Sequence, residues 1–166
     1  MNFKPSFTCL LFALLSFCSV SAMAAPNYQI NVTLPVIENG QYHRPYVALW
    51  VEDKQRKAHR TLAVWMQKDK WLSDLKRFWR RVARSDRERV DAVTGATHGP
   101  GTYNLQWDGL NDHGETLAPG SYALCVEAAR EKGGREALCV DFEYGTAASA
   151  FQTGEHELGR ISLLKI

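Results

Sequence analysis

A short segment near the middle of the chain carries the residues best suited to chemistry. It reads Asp91-Ala92-Val93-Thr94-Gly95-Ala96-Thr97 and is followed directly by His98. A threonine hydroxyl is a weak nucleophile, so a reaction at Thr97 needs a base supplied from outside the segment. Gly95 and Ala96 leave the approach to Thr97 open, and Gly95 permits unusual backbone dihedrals. Asp91 is placed to accept hydrogen bonds from loop amides and to hold the loop in shape.

This segment is similar to the flavinylation motif of bacterial FMN-binding domains, which reads Asp, two variable residues, Ser or Thr, Gly, Ala, Thr. The matching positions are Asp91, Thr94, Gly95, Ala96 and Thr97. The resemblance implies that the phosphate of FMN becomes esterified to Thr97. It also implies an exported FMN transferase as a partner, which uses FAD as the donor. His98, next to the acceptor, would orient or tune the bound flavin.

The same residues also fit a purely structural interpretation. A glycine-rich turn before a strand, capped by Asp91, needs no cofactor. The protein would then be an unmodified binding or assembly module. The position of Thr97 helps to separate the two interpretations, because a transferase cannot reach a deeply buried hydroxyl.

Other common catalytic patterns are missing from the sequence. The chain has 5 histidines, and none of them pair at a metal-ligand spacing such as His-x-x-x-His. No Ser-His-Asp arrangement follows from the spacing, and no phosphate-binding or dinucleotide fingerprint occurs. We therefore expect a carrier or binding protein rather than an enzyme, and no metal site.

The first residues are typical of a secretory signal peptide. Lys4 precedes an apolar run over 7–17, and Ala22-Met23-Ala24 supplies an A-x-A cleavage pattern. The run is too short to span a bilayer comfortably. We predict cleavage after about Ala24, a periplasmic location, and one mature domain over 25–166 that is not an integral membrane protein.

The charge of the chain is nearly balanced. It has 20 lysines and arginines against 18 acidic residues, and one of the cations, Lys4, lies in the leader. This balance argues against a general nucleic-acid-binding protein.

The cysteines predict one disulfide. Cys9 and Cys18 leave with the leader, so Cys125 and Cys139 remain as an even pair in an exported protein. Two reduced core thiols are the alternative. Strands over 121–130 and 135–144, joined by a three-residue loop at 131–133, would place Cys125 opposite Cys139.

Alternating apolar residues predict a mainly β protein. The expected strands cover 28–36, 45–53, 60–67, 102–107, 121–130, 135–144 and 160–166, with a turn at 38–41. Helical spacing predicts one amphipathic helix over 71–83, whose arginine-rich side is a solvated face or an anion-binding surface. Short strands separated by turns favour an immunoglobulin-like β-sandwich. Trp71 and Trp79 are the tryptophans that we consider for stacking on a flavin.

Two wider resemblances add to this interpretation. The segment over 101–128 resembles the immunoglobulin-like repeat of flagellar hook-capping proteins. Its matching positions are Trp107, Asp108, Gly109, Asp112, Gly114, Gly120 and Tyr122. This motif implies a fold and says little about function.

The mature chain as a whole resembles an uncharacterised family of predicted periplasmic proteins of Gram-negative bacteria. Members are expected near membrane-embedded reductases and flavin transferases. The resemblance implies a periplasmic electron-transfer protein that carries FMN covalently at Thr97 and works with a membrane-embedded reductase.

Overall fold

The computed structural model describes residues 25–38, 41–147 and 149–166. The predicted leader over 1–24, with its cleavage point, lies outside the described residues. So do residues 39 and 40, at the centre of the turn predicted over 38–41.

The described residues form two β-sheets with 9 strands. The strands are β1 (Tyr28–Leu34), β2 (Tyr46–Asp53), β3 (Ala58–Trp65), β4 (Thr94–Gly95), β5 (Gly101–Trp107), β6 (Ser121–Ala129), β7 (Arg135–Glu143), β8 (Ser149–Thr153) and β9 (Arg160–Lys165). One sheet has the order β5-β1-β9-β8 and the other the order β4-β3-β2-β6-β7. The strand pairs are antiparallel except that β3 and β4 run parallel. The mainly β class predicted from the sequence is confirmed, and the two sheets are consistent with a β-sandwich.

The alternation in β1 explains how the two sheets meet. Tyr28, Ile30 and Val32 are at most 1% exposed, whereas the residues between them are only half-buried. Tyr28 stacks on Trp107 of β5 with ring centroids 4.8 Å apart. The apolar side chains of β1 therefore lie in the core between the sheets, as period-two patterning requires.

Strands β2 and β6 are buried on both faces because a helical segment covers the outer side of the five-stranded sheet. This second core contains Trp50, Leu72, Leu75, Phe78, Val82, Val90 and Cys125 among its buried residues. Near-continuous burial of a strand is the pattern expected where both faces are packed.

The helical segment differs from the single helix predicted over 71–83. It consists of a 3-10 turn (Asp69–Asp74), α1 (Lys76–Phe78) and a π-helical turn (Trp79–Ala83). The helix is interrupted at Leu75, whose φ of −76° and ψ of 74° are not helical. The carboxylate of Glu127 on β6 accepts hydrogen bonds from the backbone N–H groups of Arg77 at 2.9 Å and Phe78 at 2.8 Å. This long-range cap fixes the start of α1, and sequence periodicity cannot predict it.

A further helix, α2 (Arg87–Ala92), lies in a segment for which the sequence predicts no helix. The Asp86 carboxylate caps it by accepting a hydrogen bond from the Arg89 backbone N–H at 3.0 Å. Among the described residues, no helix is long and apolar enough to cross a bilayer.

The hairpin β6–β7 has the predicted register. Cys125 pairs with Cys139, and a disulfide of 2.01 Å joins their sulfurs. The Arg130 N–H donates to the carbonyl of Gly134 at 3.1 Å, which closes a three-residue loop over 131–133. The predicted disulfide is therefore present, and it links neighbouring strands of one hairpin.

Candidate functional site

The Asp91–Thr97 motif runs along the outer edge of the five-stranded sheet. Asp91 lies near the end of α2, and the next residues form β4 beside β3. The Val64 N–H donates to the Val93 carbonyl at 3.1 Å, and the Met66 N–H donates to the Gly95 carbonyl at 2.9 Å. The motif is thus an edge segment tied to the sheet by backbone hydrogen bonds.

The acceptor threonine is the buried residue of this motif. Asp91, Thr94, Gly95 and Ala96 are exposed, whereas Thr97 is only 4% exposed. Sequence reasoning required an accessible hydroxyl for transfer to Thr97. In this conformation Thr97 is almost entirely enclosed, so free access of a transferase to it requires the edge segment to move away from the protein.

Two details of the motif differ from the sequence-based expectations. Within the described residues, the Asp91 carboxylate makes no hydrogen bond to the loop amides. The Thr94 hydroxyl instead ties the loop to α2 by donating to the Val90 carbonyl at 2.7 Å. Gly95 does not adopt a positive φ, and a Cβ there would lie 3.9 Å from the Trp65 ring, an ordinary contact. The structure therefore does not require the conformational freedom of Gly95.

Three rings pack together next to Thr97. The His98 ring lies 4.5 Å from Trp65 and 4.4 Å from Tyr103, measured between centroids. The Tyr103 hydroxyl donates to the Gly99 carbonyl at 2.8 Å. We call His98, Trp65 and Tyr103 the ring cluster. It joins β3, the loop after the motif and β5, and it includes His98, the residue that directly follows the acceptor.

The tryptophans singled out from the sequence lie elsewhere. Trp71 stacks on Tyr46 with centroids 5.9 Å apart. Trp71 and Trp79 belong to the helical segment, and both pack against the second core. Trp65 is the tryptophan that contacts His98, and it is also a buried member of the core between the sheets. The link between positions 65, 98 and 103 is tertiary, and no spacing in the sequence indicates it.

Of the six arginines at positions 77, 80, 81, 84, 87 and 89, the described contacts give ion pairs for Arg77, Arg87 and Arg89 only. Arg87 pairs with Asp69 at 2.9 Å. Arg89 pairs with Asp86 at 3.3 Å and with Asp112 at 3.4 Å. Ion pairing therefore accounts for half of these arginines, and both interpretations of the arginine-rich side stay predictions.

A cavity of about 410 Å³ lies between α2 and β3 at the start of the motif. Ala92 and Val93 line it together with the charged side chains of Arg60, Asp86, Glu88, Arg89 and Asp112. Its size lies within the range of small-molecule sites. Both signs of charge are present, so the cavity has no single electrostatic preference.

The chain matches one protein family over most of its length. Residues 27–160 match the family described as "Predicted periplasmic protein (DUF2271)". The chain belongs to this family. The DUF2271 match includes the motif segment and both paired cysteines. Comparisons with curated proteins and with solved structures found no match.

Proposed function

We propose that this protein carries FMN covalently on Thr97 and transfers electrons between a membrane-embedded reductase and a periplasmic acceptor. The observation that carries the proposal is the complete Asp-x-x-Thr-Gly-Ala-Thr motif on a sheet edge, followed directly by His98 of the ring cluster. The periplasmic family description supports the same setting.

The attachment is a phosphoryl-type transfer. The Thr97 Oγ1 atom attacks the FMN-side phosphorus of FAD, the new O–P bond forms, the pyrophosphate bond breaks, and AMP leaves. An exported FMN transferase supplies the base that takes the hydroxyl proton and the metal that binds the phosphates. FMN, when bound, supplies reversible electron transfer.

The residues around Thr97 fit an aromatic cofactor. His98 and Tyr103 are half-buried and offer partly accessible rings, which pack favourably on another flat ring. Trp65 is buried and contacts both of them. The protein's part is to position the cofactor, to exclude water from one side of it and to set its electrostatic surroundings. This is the role of a carrier, which does not turn over a substrate by itself.

The short edge strand β4 offers a route of access to Thr97, because it can open locally. Strand β4 has 2 residues and pairs with β3 alone. Short edge segments open locally at a small free-energy cost compared with global unfolding. We expect the transferase to act on this opened segment.

An unmodified binding or assembly module is the second candidate function. The burial of Thr97 at 4% exposure favours it, because no local opening is then required. In that case the motif is a structural edge segment, and a protein partner contacts the exposed residues around it.

The deciding experiment is the intact mass of the mature protein, exported in cells that also make an FMN transferase. We expect a gain equal to FMN less one water, mapped to the peptide that contains Thr97. Thr97→Ala should remove the gain and Thr97→Ser should keep it. Thr102→Ala is the matched control, since Thr102 is an exposed threonine on β5.

An unmodified mass, while a known flavinylated protein in the same cells is modified, contradicts the proposal. The binding-module function is then the one to pursue. A visible spectrum of the same sample provides an independent check, because flavin absorbs in the visible range and the apoprotein does not.

A further inference from the structure

A second group of reactive side chains lies on the outer face of the five-stranded sheet, away from the motif edge. Trp50 of β2, Cys125 of β6 and Cys139 of β7 form one row across the sheet. Glu52 follows Trp50 by two residues on β2, so it faces the same side. A carboxylate oxygen of Glu52 and the two sulfurs lie within 4.8 Å of one another.

This group is open to solvent from one side. A cavity of about 700 Å³ is lined by Glu52, Arg77 and Cys139, among other residues. Cys125 is fully buried, whereas Cys139 is half-buried. A thiolate from solution can therefore approach the sulfur of Cys139, and Cys125 is the leaving group.

The Glu52 carboxylate is buried and hydrogen-bonded. Its side chain is 3% exposed. One oxygen accepts from Arg77 Nη2 at 2.5 Å, and the other accepts from Trp50 Nε1 at 2.8 Å. Each carboxylate oxygen has two lone pairs, so both retain acceptor capacity towards the sulfurs.

We propose that reduction of the Cys125–Cys139 disulfide creates a binding site for a soft divalent cation such as Zn²⁺, with the two thiolates and Glu52 as ligands. Cysteine sulfur and carboxylate oxygen are ordinary zinc ligands. Three protein ligands leave a fourth position, which faces the cavity and takes water. The expectation of no metal site relied on histidine spacing, and this donor set contains no histidine.

The chemistry balances in two steps. A dithiol reductant reduces the disulfide by exchange, so the protein gains two thiols and the reductant becomes a disulfide. Binding of the cation then releases two protons from the thiols. Tetrahedral zinc binds thiolate sulfur at about 2.3 Å and carboxylate oxygen at about 2.0–2.2 Å, so its ligand atoms are roughly 3.5 Å apart. A small movement of the side chains therefore completes the site.

The guanidinium of Arg77 is the positive charge bound to Glu52, and it repels a metal ion that approaches this carboxylate. This guanidinium neutralises Glu52 in the oxidised protein, and the Arg77 side chain is 30% exposed. It can therefore turn towards solvent when a metal replaces it as the counter-charge. The site is thus closed to cations in the oxidised state by both the disulfide and Arg77. It does not depend on the proposed flavin function.

The test uses Co²⁺ as a visible probe for the site in the full mature chain. Protein reduced under nitrogen and freed of reductant should bind one equivalent, with a thiolate-to-cobalt charge-transfer band that Zn²⁺ abolishes. Oxidised protein should show no band. A band of equal intensity in the oxidised protein, or no band after reduction, overturns the proposal.

Variants show whether the carboxylate is a ligand. Glu52→Gln should weaken Co²⁺ binding by at least about tenfold. Glu143→Gln is the matched control, because Glu143 on β7 lines the same cavity. The Co²⁺ affinity of this variant should equal that of the wild type. Equal affinity in the Glu52 variant and the wild type overturns the proposal.

Two further measurements complete the test, one of the fold of the reduced protein and one of a second variant. The near-ultraviolet circular dichroism of the reduced, metal-free protein should match that of the oxidised protein. Its loss overturns the proposal, because cobalt would then bind an unfolded chain. Cys139→Ser, a small change at a half-buried position, should remove the two-thiolate band, and its persistence would overturn the proposal as well.

Discussion

Glu127 is a carboxylate fully enclosed by protein, at 0% exposure. Besides capping α1, it accepts a hydrogen bond from Arg135 Nη1 at 2.9 Å. A buried charge is tolerated only when it is paired and hydrogen-bonded. Glu127 therefore links the helical segment to the sheet, and the break at Leu75 follows from that link.

Glu127→Gln should destabilise the protein by about 3 kcal/mol, because the remaining amide leaves buried N–H groups without full acceptors. The measurement is urea unfolding of the mature protein at neutral pH. Glu88→Gln, at an exposed position of α2, is the control and should change stability by less than about 0.5 kcal/mol. Equal urea midpoints for the Glu127 variant and the wild type would show that the cap contributes nothing.

At the residue scale, the sequence identifies the candidate acceptor but not its surroundings. The motif spacing indicates Thr97 directly. Its burial and the packing of His98 against Trp65 and Tyr103 depend on contacts between distant parts of the chain. The Glu52–Cys125–Cys139 group is likewise formed by three strands, so no local pattern predicts it.

At the element scale, strands with a clear period were predictable and short ones were not. Strand β1 was predicted from its alternation, although it ends at Leu34 and Val36 beyond it is 72% exposed. Strand β4 has 2 residues and cannot show a period. Strand β8 was not predicted, since most of its side chains are exposed and no apolar alternation marks it.

The turn after β5 offers a matched pair of glycine substitutions. Gly109 has a φ of +72° and Gly114 a φ of +78°. A Cβ on Gly109 would collide with the Pro26 carbonyl, whereas a Cβ on Gly114 would meet nothing within 4 Å. Gly114→Ala should cost about 1 kcal/mol from backbone strain alone, and Gly109→Ala should cost clearly more. Thermal unfolding of both variants measures the difference, and equal losses would contradict the proposed clash.

The loop before β9 is held by one carboxylate. Glu136 on β7 accepts hydrogen bonds from the backbone N–H groups of residues 155, 156, 157 and 158. Partial burial raises the pKa of this carboxyl, but the four N–H groups outweigh that effect and hold the pKa below its ordinary value of 4.5.

This shift gives a pH-dependent prediction. A carboxyl with a lowered pKa in the folded state stabilises the protein above its unfolded pKa and loses that contribution as the pH falls through the folded value. The stability difference between wild type and Glu136→Gln should therefore be constant near neutral pH and shrink below about pH 4.5. Urea unfolding over a pH series measures it. Exposed Glu155→Gln serves as the control, and a difference that persists at low pH would contradict the assignment.

At the scale of the whole molecule, the disulfide joins strands that are already paired within a large core. The two cysteines are 14 residues apart in sequence. Closing a loop of about this length stabilises a protein by about 3 kcal/mol in the chain-entropy account. Reduction in the presence of a chelator should lower the free energy of unfolding by about that amount without unfolding the protein at room temperature.

Urea unfolding with and without a phosphine reductant measures the effect of the disulfide. The double variant Cys125→Ala/Cys139→Ala is the control, since its urea midpoint should not respond to reductant. An unchanged midpoint for the reduced wild type would contradict the chain-entropy account of this disulfide.

The two-residue strand β4 also covers an edge of the five-stranded sheet that could otherwise pair with another chain. It covers the backbone N–H groups of Val64 and Met66, which would otherwise be free on the edge of β3. An uncovered strand edge is a template for pairing with another chain. Any event that lifts Thr97 out of the protein therefore also exposes this edge. The transferase of the proposed function would have to shield this edge, and we expect the protein to aggregate when the segment opens unshielded.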